Sequence, residues 1–542
     1  MKKLIIFLLV LTLIAVPLCA SCEGEEAPPE DGAPPEDGAP PEDGAPPEGP
    51  VSGGVLRVIA TMGPMMMSYP PMMGPNDATY VFPAVERLVE SAYTDGVRHF
   101  EPFLCESYDI DPVAKTFTFN LREGVLFHDG SEMTAEVVKW NFELQKEGGW
   151  MQDADKVVSI ETVGDYTVVI NFTEYSNQYE FNWGWTAIYS QAAWEAAAQG
   201  DLQAGIDWAV DHVVGTGPFV LKEYQRDVVV KWEKFDDYWQ EGKPYLDGVE
   251  FWIIPDAVTA STMLQAGDVD MWMQGSAARD WEELEGKGFV VQNFWPGLPQ
   301  MLMGNTVDPE SKWQDKNLRE ALEYALDKAA IAQALGLGYY EPLLQVSPPG
   351  EWGYDPDKEV REYDPAMAMQ LLEAAGYSAE EPCEVTLLIQ NVPASVDAGE
   401  AIKSYLDDAG FVCDLDIADA GRFFGSVWAT GWDDLLLMFY GMDVNYLMTY
   451  MSWFSHDPKS NLSAFERTPE QIAMDQEAVL IVDVAEQEEM CGQLVDYLYE
   501  EARFCSLWWV PATYVMYDYV HTDYFQQGFI RWKMADIWMD SH

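Results

Sequence analysis

Positive charge is what this chain has least of: 30 Lys and Arg stand against 92 Asp and Glu, a formal charge of −62 over 542 residues. Phosphate recognition needs clustered Lys and Arg, so nucleic acid and anionic lipid surfaces are excluded as partners. The balance reads as a solvated acidic surface suited to high salt or high solubility, with an acidic binding function as the alternative. Cysteine is scarce too. Seven in the whole chain are too few and too scattered for a disulfide scaffold. Cys-x-x-Cys occurs only at Cys19 to Cys22, and the histidines show no His-x-x-x-His spacing, so neither a metal site nor a cofactor is expected. No Gly-x-Ser-x-Gly elbow is present, and Gly215-Thr216-Gly217 is not followed by Gly-Lys-Ser/Thr, which removes the commonest esterase and phosphate-loop signatures. After the N-terminal apolar run, no charge-free stretch approaches the roughly 20 residues of a membrane span.

That first run, Leu4 to Val16 behind Lys2 and Lys3, leads into Cys19-Ala20-Ser21-Cys22 and reads as an export signal with a cleavage site. Ala20-Ser21-Cys22 resembles a lipobox, with Cys19 where Leu is usual. Cys22 is therefore the expected lipid-attachment residue; an ordinary secretory signal with an incidental cysteine is the alternative. Ala-Pro-Pro-Glu-Asp-Gly then repeats from Ala27, Ala33 and Ala39, with a clipped copy from Ala45. Such sequence forms no core and favours extended polyproline II, which at roughly 3 Å per residue places the following domain up to about 80 Å from the bilayer.

The rest, 48% apolar and 13% aromatic by whole-chain composition, suffices for a large core of two or three subdomains. Val55 to Ala60 reads as a buried first strand. The methionine-rich loop Met62 to Met73 reads either as a pocket lining or as simple filling. Phe117, Phe119 and Leu121 alternate with Thr116, Thr118 and Asn120 in the period of a half-buried strand. A helix capped by Thr134 and a hairpin from Val157 to Phe172 come next, and strands are expected at Val220 to Tyr224 and Val228 to Trp232. Beyond Asn305 the pattern turns to alternating helices and strands: a helix from Asn317 to Leu335, another from Tyr363-Asp364-Pro365 to Gly376, and a strand, helix, strand unit at Glu384 to Gln390, Glu400 to Asp408 and Phe411 to Ile417. A crossover of that kind makes its two strands parallel, which brings Cys383 and Cys413 to corresponding ends as a candidate disulfide.

Ser107-Tyr108-Asp109-Ile110, Thr116 through Gly130 (TFTFNLREGVLFHDG), Gly215-Thr216-Gly217-Pro218-Phe219, Asp237-Tyr238-Trp239, Gly242 through Asp247 (GKPYLD), Asn317 through Lys328 (NLREALEYALDK) and Ala374-Ala375-Gly376-Tyr377 occur in this order. Together they resemble the signature of the family 5 extracellular solute-binding proteins, the oligopeptide- and dipeptide-binding class of ABC importers. The resemblance covers nearly everything from Gly53 onward.

It implies an α/β, two-lobed periplasmic-binding-protein-like fold, type II in its large three-subdomain form, with a hinge between the lobes. Residues 1–21 would be the lipoprotein signal and 22–52 the tether. Residues 53–97, 210–303 and 502–542 would form lobe I, with 98–209 inserted as a subdomain, and 304–501 would form lobe II. The family's peptide binders pair the ligand's amino group with an Asp in a segment like Gly-Trp-x-x-Asp-Tyr. The nearest match here is Phe439-Tyr440-Gly441-Met442-Asp443, which makes Asp443 the candidate and puts Tyr440 where the Trp would stand. The family's downstream Asp-Pro is replaced by Val444-Asn445-Tyr446. Asn445 and Asn305 join the candidate ligand residues, and Arg422 is the candidate for an anionic ligand group. Trp183, Trp185, Trp428, Trp432 and Trp453 are read as core or as ligand shelf. The expected protein is no enzyme but a monomeric, extracytoplasmic lipoprotein, bound to the membrane through its lipid only. It would carry a peptide or other amine-bearing solute to ABC permease subunits. The alternatives are a secreted glycoside hydrolase with paired carboxylates and a surface scaffold lipoprotein.

Overall fold

The computed structural model describes residues 49–73, 75–94, 97–148, 151, 153–273, 277–456, 462–522 and 533–540. The signal, Cys22 and the Pro-rich repeats lie outside them.

Near-continuous apolar runs end up inside a mixed sheet, where both faces are covered. Its eleven strands run Phe219–Gln225, Val229–Lys234, Gly248–Ile253, Val55–Ala60, Met271–Met273, Cys505–Met516, Val290–Gly304, Leu435–Phe439, Cys383–Gln390 and Phe411–Ala418, with Glu341–Pro342 branching onto Cys505–Met516. Val55–Ala60 sits between two parallel neighbours, and Leu56, Val58, Ile59 and Ala60 are fully buried. Two long antiparallel strands, Val290–Gly304 and Cys505–Met516, join the two halves of the sheet; their register breaks between Phe294 and Leu298 and again between Pro299 and Met301. Gly297 fits this irregular stretch because a Cβ there would lie 1.9 Å from the Val510 carbonyl oxygen.

A separate four-stranded antiparallel sheet orders Cys105–Asp111, Thr116–Leu121, Thr167–Phe172 and Val157–Thr162. As the alternation predicts, Phe117, Phe119 and Leu121 point into its core, where the helix Ala135–Gly148 adds Val138 and Phe142. This core also takes Val444 and Met448, from a distant part of the chain.

Three of the quoted motifs meet at one junction. The backbone of Gly215-Thr216-Gly217 passes Pro83-Ala84 so closely that a Cβ on Gly215 would lie 2.0 Å from the Ala84 carbonyl oxygen. Thr216 Oγ1 and Trp239 Nε1 donate to one oxygen of the buried Glu86 at 2.9 Å each, and the Tyr238 hydroxyl donates to the other at 2.6 Å. His128 contacts the Gly217 carbonyl at 2.9 Å through Nε2. Burial pushes the Glu86 carboxyl up to about 7, against these three donors, and pulls the His128 imidazole down to about 4.

Two expectations need correction. The helix read from Asn317 to Leu335 is two, Lys316–Ala325 and Lys328–Gly336, because Asp327 caps the second by accepting from the Ala330 amide at 2.9 Å while Leu326 is extended. Cys383–Gln390 and Phe411–Ala418 are parallel neighbours, but Cys383 stands opposite Phe411 and Cys413 opposite Val385. Both thiols are buried and free, so the expected disulfide does not form.

Candidate functional site

The segment 439–445 leaves the strand Leu435–Phe439 and enters the helix Tyr446–Trp453. Asn445 starts that helix: its Oδ1 accepts from the Met448 amide at 2.9 Å, so the side chain expected to meet a ligand serves as an N-cap. Asp443 lies two residues before this cap and is held by side chains of the helix. Its amide donates to Thr449 Oγ1 at 2.8 Å, and its Oδ2 accepts from the Ser452 hydroxyl at 2.9 Å. Its carbonyl accepts from Arg98 Nη1 at 2.5 Å, across 345 residues of sequence. The Arg98 Nη2 is paired with Glu351, and the two side chains are only 8% and 13% exposed. Burial raises the Glu351 carboxyl, and Arg98 opposes that rise.

Tyr440 belongs to the core beneath this segment. It is fully buried against Phe454 and Phe504; its hydroxyl lies 2.8 Å from that of Tyr446, and both reach the Val346 carbonyl, at 3.1 and 2.7 Å. Burial in that packing also raises its phenol. Arg422 is bound bidentately by Asp416 at 2.7 and 2.5 Å on a half-exposed surface, which commits its guanidinium elsewhere. Asn305 organises a turn, donating to the Trp432 carbonyl at 2.8 Å and accepting from the amides of Val307 and Asp308. Of the five residues, Asp443 alone presents a half-buried carboxylate beside a contact between distant segments. Trp183 and Trp432 belong to cores; Trp185 is half-buried under the Arg87 guanidinium; Trp428 and Trp453 pack together at 5.7 Å with Trp428 40% exposed. The methionine loop divides likewise: Met66 and Met67 fill core, whereas Met62, Met65 and Met72 are exposed.

Sequence reasoning missed Arg98, Glu351 and Asn177. Asn177 is buried, and its amide donates to the Val479 carbonyl at 2.8 Å while its Nδ2 donates to the carbonyls of Ala478 at 2.8 Å and Ile481 at 3.1 Å. These partners lie about as far along the chain as those of Arg98, and no local pattern marks them. Among the described residues no group of three or more His, Cys, Asp or Glu is placed to hold a metal, and no helix is long and apolar enough to cross a membrane.

The family model of bacterial extracellular solute-binding proteins, family 5 (middle region), matches residues 99–461. The chain belongs to that family. Heme-binding protein A of Haemophilus influenzae is 30% identical over 315 residues, covering 54% of this chain and 56% of its own length. The dipeptide-binding protein of Escherichia coli is 30% identical over 324 residues, covering 55% of this chain and 59% of its own. The matched region thus spans little more than half of these curated relatives. A periplasmic binding protein from Helicobacter pylori in complex with the peptide STSA superposes with a TM-score of 0.80 at 21% identity, covering 91% of this chain and 99% of that one. A NikA protein from Brucella suis in complex with Fe(III)-EDTA gives 0.77 at 20%, covering 90% and 100%. The family 5 protein described here therefore has the two-lobed α/β fold of these binding proteins. Their ligands differ widely on one scaffold.

Proposed function

We propose that this protein captures a small amine-bearing solute, a peptide or a related molecule, between its lobes and delivers it to the permease of an ABC importer, held at the membrane through a lipid on Cys22. On this reading one lobe comprises 53–97, 210–303 and 502–542 and carries 98–209 as an insertion, and 304–501 forms the other. The hinge lies where Val290–Gly304 and Cys505–Met516 break register, because a bulged ladder bends more readily than a regular one. Closure on a ligand follows if the closed state binds it better.

The observation that carries this reading is the Asp443 carboxylate, half-buried and held by its own helix at the seam with the 98–209 segment. A buried ammonium requires such a partner, and a charge-assisted hydrogen bond contributes about 1.5–3 kcal/mol. Ligand retained through gentle purification and identified by mass spectrometry supplies the probe. Calorimetry is then expected to show a roughly 10- to 100-fold weaker Kd for Asp443→Ala. An unchanged Kd removes Asp443 from the site, and turnover of the retained molecule rules out a pure carrier.

A further inference from the structure

We propose that Arg98 is a positioning residue that couples closure of the lobes to the ordering of the Asp443 loop, with Asn177 as a second, uncharged clamp on the same seam. This rests on reading the protein as a lobe-closing binder, but not on the identity of its solute.

Arg98 lies on the strand Val97–Pro102, and the proposed boundaries put it in the inserted 98–209 segment and its partners Glu351 and Asp443 in the opposite lobe. One terminal nitrogen meets the Glu351 carboxylate and the other meets the Asp443 carbonyl, so the planar fork spans two loops that sequence alone would not bring together. Opening must rehydrate both Arg98 and Glu351. In this structure, which the proposal makes the closed form, both side chains are largely desolvated, a state tolerable only while each compensates the other. The contact is therefore made or lost with closure as a unit.

Its consequence for the candidate site is geometric. Asp443 is held at its amide by Thr449 and at one carboxylate oxygen by Ser452, both on its own lobe. The Arg98 bond fixes its carbonyl, and with it the backbone from which the carboxylate projects. Val444, the next residue, inserts into the core of the inserted segment, so the peptide unit that Arg98 grips is also the one that docks. Arg98, with both terminal nitrogens committed, is not a seat for a solute carboxylate.

Asn177 gives an independent reporter. Its amide hydrogen is given to the Val479 carbonyl across the seam, so exchange of that hydrogen for deuterium requires the lobes to part there. Amides of the central strand Thr116–Leu121, bonded on both sides within their own sheet, report the stability of the inserted segment itself. The test is residue-resolved hydrogen–deuterium exchange on the full chain without added solute. In Arg98→Ala and in Glu351→Gln, the Asn177 amide is expected to exchange at least tenfold faster than in the wild type while the 116–121 amides keep their rates. Arg98→Lys, which retains charge but not the fork, should fall between. The proposal is overturned if the Asn177 amide is unchanged in both variants, or if the 116–121 amides accelerate by the same factor, which would make Arg98 a general stabiliser. The carrier reading fails separately: if the variants behave as expected but no peptide or amine in a solute library slows Asn177 exchange in the wild type, the latch stands and the solute-binding role does not.

Discussion

Glu86 and His128 sit at the same motif junction yet titrate against folding from opposite sides. The Glu86 carboxyl, pushed up to about 7, holds its proton more tightly in the folded chain than in the unfolded one. Its ionised form therefore penalises folding above about pH 7, and the penalty fades as pH falls toward the ordinary carboxylate range. The shift corresponds to on the order of 3 kcal/mol at the alkaline end. His128, pulled down to about 4, resists protonation, so folding loses stability as pH falls from the ordinary imidazole range near 6.5 through about 4. The two windows, about pH 4.5–7 for Glu86 and about pH 4–6.5 for His128, overlap with opposite slopes, so their contributions to Tm are expected to cancel into a plateau across most of that range. Glu86→Gln should leave Tm rising with pH from about 4 to 6.5, and His128→Gln should leave it falling from about 4.5 to 7. A Glu86→Gln variant that keeps the wild-type slope between about pH 4.5 and 7 would show that another group controls it.

Among the elements, the helix Tyr446–Trp453 matters most to the candidate site, because it starts two residues beyond Asp443 at the Asn445 cap and holds Asp443 through Thr449 and Ser452. Asn445→Ala removes the cap and should cost about 1 kcal/mol of stability, read as a lower Tm. It should also weaken solute binding with Asp443 itself intact, since Thr449 and Ser452 project from that helix; a Tm loss with unchanged affinity would separate the cap from the site. The elements were legible wherever one periodicity or one crossover defined them: the alternation at Phe117 and Phe119, the hairpin at Val157–Phe172, and the parallel pair flanking Pro393–Asp408. The split at Asp327 escaped because an apolar helical period continues through it, while a short polar side chain starts a new helix locally. The disulfide failed at the level of register: parallel pairing was inferable, but a two-residue offset between Cys383 and Cys413 was not. For the candidate site, a motif match alone points to Asp443. Tyr440, Asn445, Arg422 and Asn305 each have protein partners, as Asp443 has in Thr449 and Ser452, and Arg98 and Glu351 meet across 253 residues of sequence, beyond any local pattern.

For the whole molecule, the −62 charge dominates every pairwise term on the surface. With acids exceeding bases about threefold, most carboxylates have no cation to pair with, and the compact state is opposed by their mutual repulsion. Salt acts on this sum in two directions. It weakens exposed pairs such as Lys222 with Glu233, each worth little, and it relieves repulsion among the many unpaired acids. The second effect should prevail, because the screening length falls from about 30 Å at 0.01 M to about 3 Å at 1 M and removes long-range repulsion almost entirely. Buried pairs, Lys328 with Glu323 and Arg98 with Glu351, are shielded from that screening and persist. Tm is therefore expected to rise clearly from low to molar NaCl, most steeply below about 0.2 M where the Debye length still spans neighbouring carboxylates. A rise that begins only near molar salt would point to preferential exclusion of the salt instead. A flat response would mean that the acidic surface is not what limits stability.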